Sequence, residues 1–365
     1  MRILFYIEAR EWTGSARAFL AAARGLEARG HQIVFACDPE SAVAEHARSG
    51  TCEVVSIRPE ASLMGAALRV RAMLARFAID VVFVPSDREQ VIAATGAWLA
   101  DRAAVVRRLP IGAPFALSRR GRFALRLATT GFAFSSEDDV RAAPRLAHAR
   151  LEPAVLPLGV DVQQYEAVRG AARAVAGVDI DADLIVCIGD AESRVPIGTV
   201  LRVVAMLAPR HPRLRLAVLG RGTDTQDLRL HAAALRITRL IRFLGDGSGS
   251  PGEAMAMLGA ADLGWIAAGG DDGAFAALDL LASRVPVLAE RGTIARHFVP
   301  DGIAGVLLPP ADPPSAAAVV ARLLALGDER IAMGNAGHAR VARDFSEVAM
   351  IEAFERAAIA AGSRA

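Results

Sequence analysis

Two successive α/β domains, each a parallel sheet wound by helices on both faces, are what this sequence predicts. Three observations carry that expectation. Short apolar runs alternate with helical stretches twice, and an irregular stretch separates the two series. Apolar residues make up 53% of the chain but aromatics only 5%, so Ala, Val, Leu and Ile must fill cores in which strands are covered on both faces. The 365 residues suit two domains of roughly 150–200 residues each.

In the first series the strand candidates are residues 3–7, 33–36, 54–57, 81–84, 103–106, 132–134 and 155–158. Between them, segments such as 15–28 and 63–77 place apolar residues at helical spacing. After Leu156-Pro157-Leu158-Gly159-Val160-Asp161 the pattern breaks, and residues 162–183 read as irregular, rich in Ala, Asp and Gly. The second series has strands at 184–188, 214–219, 241–244, 263–266 and 285–289, with a helix at 197–208. Residues 346–360 read as a closing helix with Ser346 as N-cap and Glu347 in the first turn. The expected division is 1–165, 166–345 and a terminal helix in 346–365.

Composition removes several function classes. Cys37, Cys52 and Cys187 are odd in number and share no CxxC spacing, which argues against a disulfide framework or zinc site and for a reducing compartment. The seven histidines are scattered, so no transition-metal site is expected. Residues 3–7 are too short for the apolar core of a signal peptide, and no apolar run reaches the roughly 18–20 residues of a membrane span. A cytoplasmic protein, at most peripheral to the inner face of the cell membrane, is the expectation. The net charge of +2 argues against nucleic acid as a partner. Every basic side chain is Arg, because the chain has no Lys.

Doubly wound pairs serve dehydrogenases, kinases and binding proteins alike, so fold alone does not choose. Gly220-Arg221-Gly222-Thr223-Asp224-Thr225 lacks the third glycine of a dinucleotide fingerprint. A P-loop is ruled out by the absence of Lys.

The order of the remaining motifs resembles the retaining family-4 (group 1) glycosyltransferases over nearly the whole chain. Gly14 leading into a helix, then Gly25 and Gly30 before the next strand, resembles the family's N-terminal start. Leu158-Gly159-Val160-Asp161 resembles its N-G-V-D signature, and Gly189, Gly220-Arg221-Gly222 and Arg242-Phe243-Leu244-Gly245 fall where donor-domain loops are expected. The stretch from Asp301-Gly302 through Gly305 to Pro309-Pro310 resembles D-G-x-x-G-x-L-x-P-P. The resemblance implies a GT-B fold: two Rossmann-like domains facing across a cleft, an N-terminal acceptor domain, a C-terminal nucleotide-sugar donor domain, and a last helix that packs back toward the first domain.

It also implies site residues. Pro286-Val287-Leu288-Ala289 resembles the family's P-V-V-A strand, and counting back from it puts the family's Glu-x7-Glu pair at Asp271 and Asp279. Gly269-Gly270-Asp271-Asp272-Gly273 feeds a helix beginning near Ala274, whose free N–H groups can hold a diphosphate or a sugar hydroxyl. Asp271 would accept from donor-sugar hydroxyls and Asp279 from ribose hydroxyls. Each is one methylene shorter than Glu, so the donor sits closer or a water bridges. The bland alternatives are an N-cap for Asp271 and a solvated face for Asp279.

Relatives place an Arg and a Lys after the first strand of this domain, where fixed cations stabilise the leaving diphosphate. Here that loop reads Gly189-Asp190-Ala191-Glu192-Ser193-Arg194. Asp190 stands in the Arg position. The Lys position falls on Arg194, or on Val195 in the neighbouring register, and Arg221 is a second source of charge; an exposed loop arginine is the alternative for each. The donor-side set is then Gly14, Arg194, Arg221, Gly222, Gly270, Asp272, Gly273 and Ala274. Relatives also present a histidine or basic-polar group from the first domain, where this chain has Pro85-Ser86-Asp87-Arg88.

Arg102, Arg107, Arg108, Arg119, Arg120, Arg122 and Arg126 form a run without an acid, interleaved with Phe115, Leu117, Phe123 and Leu125. Arg119, Arg120 and Arg122 are candidates for an anionic membrane or the phosphate of a lipid-linked acceptor, against the alternative of a solvated face. The resemblance implies sugar transfer, with retention, from a nucleotide diphosphate sugar to an envelope or lipid-linked glycan, with no metal or other cofactor. A non-catalytic GT-B partner for another transferase, and an epimerase of the same fold, remain open alternatives.

Overall fold

The computed structural model describes residues 1–48, 50, 52–58, 62–143, 149–245 and 251–364. It divides into two compact units, Met1–Leu158 with Glu347–Ala365, and Gly159–Ser346. The first runs β1 (Arg2–Tyr6), α1 (Gly14–Ala28), β2 (Gln32–Cys37), α2 (Ala42–Arg48), β3 (Glu53–Ser56), α3 (Leu63–Arg76), β4 (Val81–Val84), α4 (Asp87–Ala100), β5 (Ala104–Arg108), α5 (Arg119–Leu127), β6 (Thr130–Phe134), α6 (Glu137–Ala142) and β7 (Ala154–Val155). The second runs α7 (Val162–Arg169), α8 (Ala172–Val175), β8 (Asp183–Ile188), α9 (Arg194–Leu207), β9 (Leu214–Leu219), α10 (Gln226–Ala234), β10 (Ile241–Gly245), α11 (Pro251–Ala260), β11 (Leu263–Ile266), α12 (Gly270–Ala282), β12 (Val287–Glu290), β13 (Gly305–Leu308), α13 (Pro313–Ala325) and α14 (Gly327–Asp344). The last helix, α15 (Glu347–Gly362), belongs to the first unit.

Both sheets are parallel throughout: β3-β2-β1-β4-β5-β6-β7 in the first unit and β10-β9-β8-β11-β12-β13 in the second. The near-continuous apolar runs follow from burial on both faces. In β1, Ile3 and Phe5 join a core with Phe19 of α1 and Phe354 of α15, while Leu4 and Tyr6 join a second core with Val70 and Leu74 of α3 and Ile92 of α4. Side chains of α3, α4 and α5 fill that second core together. Trp265, Ile185 and Leu216 anchor the core of the second unit.

The structure departs from the sequence reading in several places. The first departure is residues 162–183, read as irregular, which contain α7 and α8. Here Tyr165 Oη donates to Asp279 Oδ1 at 2.5 Å, and Glu166 pairs with Arg284 at 2.8 Å and with His338 at 3.2 Å. The Val160 N–H donates to the Phe345 carbonyl at 3.0 Å. These bonds attach the stretch to the second unit, so the division falls after Leu158, not after Tyr165. The second departure is the expected strand at 155–158, which shrinks to β7 because the flanking Pro153 and Pro157 have no N–H for a ladder. The third is β13, a strand where the sequence reading has only a motif. The fourth is within the arginine run, where Arg107 and Arg108 are buried in β5 and so lie outside any surface patch. The fifth is the start of α12, which is Gly270 and not near Ala274.

Candidate functional site

In the second unit β8 lies between β9 and β11, so the connections leaving β8 and β11 diverge to opposite sides of the sheet. In open parallel sheets a ligand crevice lies at the carboxyl ends of the strands at such a reversal. Three loops meet there: 189–193 after β8, 220–225 after β9 and 267–269 after β11. Their approach is close enough to require glycine. Gly220 has φ +118°, and a Cβ on it would sit 1.9 Å from the Gly189 carbonyl oxygen. A Cβ on Gly222, at φ +70°, would meet the Ala191 Cβ at 2.8 Å.

The start of α12 completes the group. Gly269 is the N-cap and supplies no side-chain hydrogen bond, and Gly270 turns the chain at φ +54° with open space beside it. Gly273 donates to the Gly269 carbonyl at 2.9 Å and faces the Ala268 carbonyl so closely that a Cβ would stand 2.2 Å from its oxygen. Asp271 is therefore in the first turn rather than at the cap, and only 4% of it is exposed. Asp272 is half-buried, with Arg221 Nη2 at 3.8 Å from its Oδ2. Ala274 is buried behind them. The fold thus brings Arg221, Gly222, Gly270, Asp271, Asp272, Gly273 and Ala274 to one end of one sheet. Arg194 opens α9 at the same end, but its side chain lies outside the described residues.

Asp190 belongs to this group as a connector. Its Oδ1 accepts from the Glu192 N–H at 2.9 Å and from Ser193 Oγ at 2.7 Å, and its Oδ2 accepts from the Gly269 N–H at 3.2 Å. Asp279 lies two turns along α12 from Asp271 and accepts the Tyr165 hydroxyl. Sequence reasoning missed Tyr165. A signal was present: the chain has only two tyrosines, and both donate to carboxylates, Tyr6 to Glu8 at 2.9 Å and Tyr165 to Asp279. Among the described residues no cluster of three or more His, Cys, Asp or Glu is placed to hold a metal ion.

Gly14 lies in the other unit, where it is buried as the first residue of α1 behind the N-cap Thr13. That unit has its own reversal, between β1 and β4, and a polar cluster there that the sequence did not announce. Glu89, in the first turn of α4, is buried, and its Oε1 accepts the Glu8 N–H at 2.6 Å. The Glu8 carboxylate in turn accepts from Tyr6 Oη and, at 2.8 Å, from Arg88 Nε. Burial, with the nearby Glu8 charge adding to it, pushes the Glu89 carboxyl up from 4.5 to about 7.

Between pH 4.5 and about 7 the folded chain keeps a proton that the unfolded chain has lost. The contribution to stability is full below pH 4.5 and is lost as pH rises through about 7. Glu89→Gln keeps an acceptor for the Glu8 N–H and removes the titration. Denaturant unfolding at pH 8 should show the variant more stable than the parent, by up to the order of 3 kcal/mol, with the gap closing at pH 5. Parallel stability curves for the two proteins would contradict this.

Arg119, Arg120, Arg122 and Arg126 are exposed on α5, with Phe123, 60% exposed, among them. Arg107 holds the segment leading into this helix from beneath, donating through Nη1 to Asp87 Oδ1 at 3.2 Å and to the Ala116 carbonyl at 3.2 Å. Gly121 packs against Asp87 so closely that a Cβ there would be 2.3 Å from its Oδ1. Burial lowers the pKa of the Arg107 guanidinium, and Asp87 opposes that.

Residues 169–340, most of the second unit, match the family described as "Glycosyl transferases group 1". The D-inositol 3-phosphate glycosyltransferase of Corynebacterium jeikeium is 29% identical over 213 residues, 55% of this chain and 50% of the relative. That of Corynebacterium kroppenstedtii is 30% identical over 194 residues, 49% and 42% of the two chains. In these alignments the chain spans about half the length of the curated relatives it matches. Among solved structures, Anabaena HepE in complex with UDP and glucose has a TM-score of 0.79 at 16% identity, covering 98% of both chains. A glycosyltransferase from Rickettsia africae has a TM-score of 0.77 at 13% identity, again over 98% of both. At such identities the structural likeness is one of fold. The matched segment contains the three loops and α12, so this part of the second unit is similar to the group 1 glycosyltransferases, and the chain has the GT-B fold.

Proposed function

We propose that the chain transfers a sugar from a nucleoside diphosphate sugar to a hydroxyl acceptor, with retention at the anomeric carbon. The observation that carries this is the match over residues 169–340, which spans the glycine-rich loops and the α12 start built at the sheet reversal. HepE, of like fold, was crystallised with UDP and glucose. In the proposed reaction the bond from the anomeric carbon to the diphosphate oxygen breaks while the acceptor oxygen bonds on the same face. The acceptor proton passes to the leaving phosphate, so no protein nucleophile is needed. Asp271 would orient sugar hydroxyls, Asp279 would accept from the ribose, and Arg221 with the α12 N–H groups would offset charge on the diphosphate. These groups supply that charge compensation without a metal.

The acceptor we propose is an envelope or lipid-linked glycan. The relatives named for D-inositol 3-phosphate favour a second reading of that side, a phosphorylated polyol. Exposed Met64 and Leu68 of α3, Trp98 of α4 and Phe123 of α5 accompany the α5 arginines in helices that share one core, an arrangement suited to an anionic bilayer. Vesicle flotation should show binding only with anionic lipid, weaker at high salt, and reduced when Arg119, Arg120 and Arg122 become Gln. No binding at low salt would make the α5 arginines an ordinary solvated face and leave the acceptor open. Asp190, an anion where the family resemblance implies a cation, favours the rival reading of a non-catalytic partner protein.

Calorimetry against UDP, GDP, ADP and dTDP separates the two. Micromolar binding of one of them is expected of a transferase, and silence from all four would overturn the proposal.

A further inference from the structure

We propose that Asp190 is a specificity-determining residue that weakens the hold on the nucleoside diphosphate product relative to the nucleoside diphosphate sugar. The inference rests on the donor-site reading above and adds to it. The Asp190 carboxylate bridges the two loops that flank the sheet reversal. It takes the Gly269 N–H at 3.2 Å, at an α12 cap that has no side-chain partner of its own, and on its own loop it takes the Glu192 N–H and Ser193 Oγ. It is thus an anion already seated on a backbone N–H of the group that would receive phosphate oxygens. Asp271 and Asp272 stand on the next turn of chain, and Arg221 lies 3.8 Å from Asp272.

Charge decides what such a seat does. A sugar ester on the terminal phosphate masks one ionisable oxygen, so the free diphosphate carries about one more negative charge than the donor near neutral pH. A fixed carboxylate a few ångströms away repels both ligands, and repels the product more. Product release limits turnover in many enzymes, so a residue that biases affinity toward the esterified form speeds turnover. A purely structural tie between loops has a different signature, because it supports the two ligands equally.

The experiment compares the full-length parent with Asp190→Asn and Asp190→Ser, using the nucleoside diphosphate that binds best in the four-member panel and its glucose ester. Thermal unfolding first establishes that each variant is folded. Affinity is then measured for both ligands. The expected result is that Asp190→Asn tightens the free diphosphate about tenfold and the sugar ester by clearly less, so the ratio of the two dissociation constants moves. Asp190→Ser, which also lacks the charge, should move the ratio the same way even if both affinities fall. An unchanged ratio in both variants, whatever the absolute affinities, overturns the inference and leaves the donor site standing. Failure of the parent and both variants to bind any of the four diphosphates overturns the donor-site reading and this inference with it.

Discussion

Replacing Asp271 by alanine is expected to abolish sugar transfer while leaving a folded protein. Asp271 is 4% exposed in the first turn of α12, at the open end of the sheet where three glycine-bearing loops converge. A buried carboxylate at that position has little to do for solubility, and helix N-capping falls to Gly269 instead. Asp271→Asn keeps the shape and serves as the control for packing. Asp279→Ala should act differently, weakening donor binding by about ten- to a hundredfold, the worth of an ionic hydrogen bond of roughly 1.5–3 kcal/mol. Because Tyr165 donates to Asp279, Tyr165→Phe must be measured beside it. If Tyr165→Phe alone reproduces the whole loss, Asp279 works by anchoring α7 and not by touching ribose. Full activity in both aspartate variants with the correct substrates would end the assignment.

Phe354→Ala is expected to give the largest loss of stability, roughly 3–5 kcal/mol for a fully buried aromatic cut to a methyl. Phe354 comes from α15, yet it sits at 0% exposure among Phe5, Phe19 and Phe83, with ring centroids 6.1, 6.0 and 5.3 Å away. The helix is held at its rim as well, where Arg29 pairs with Glu355 and Glu352. The chain's last helix is therefore part of the first unit's core. Urea unfolding of parent and variant measures the cost, and a loss below about 1 kcal/mol would mean that the ring cluster relaxes around the cavity.

How much of this was legible beforehand differs by element. Most strands of both sheets could be read because burial on two faces keeps polar residues few, as in Val81–Val84. The loops could be read because Gly220 and Gly222 stand where backbone approaches backbone. By contrast α7 was hidden, since it is held by Tyr165 and Glu166 reaching partners more than a hundred residues away. Arg107 and Arg108 looked like surface charge because an arginine run carries no mark of which members turn inward from a strand. Asp190 looked like a defect in a cationic loop, and its bond to the Gly269 N–H, set by tertiary proximity, is invisible to spacing. Glu89 gave no signal either, because its environment depends on β1 and α4 meeting at the sheet reversal.

A nucleoside diphosphate sugar site at the β8–β11 reversal should be visible in a crystal structure with the diphosphate that the calorimetric panel selects. The expected density places the phosphates against the 189–193 and 220–225 loops and the first N–H groups of α12, with Arg221 turned toward them and Asp271 facing the position of the transferred sugar. A nucleotide bound elsewhere on the chain, with those loops and α12 untouched, would contradict it.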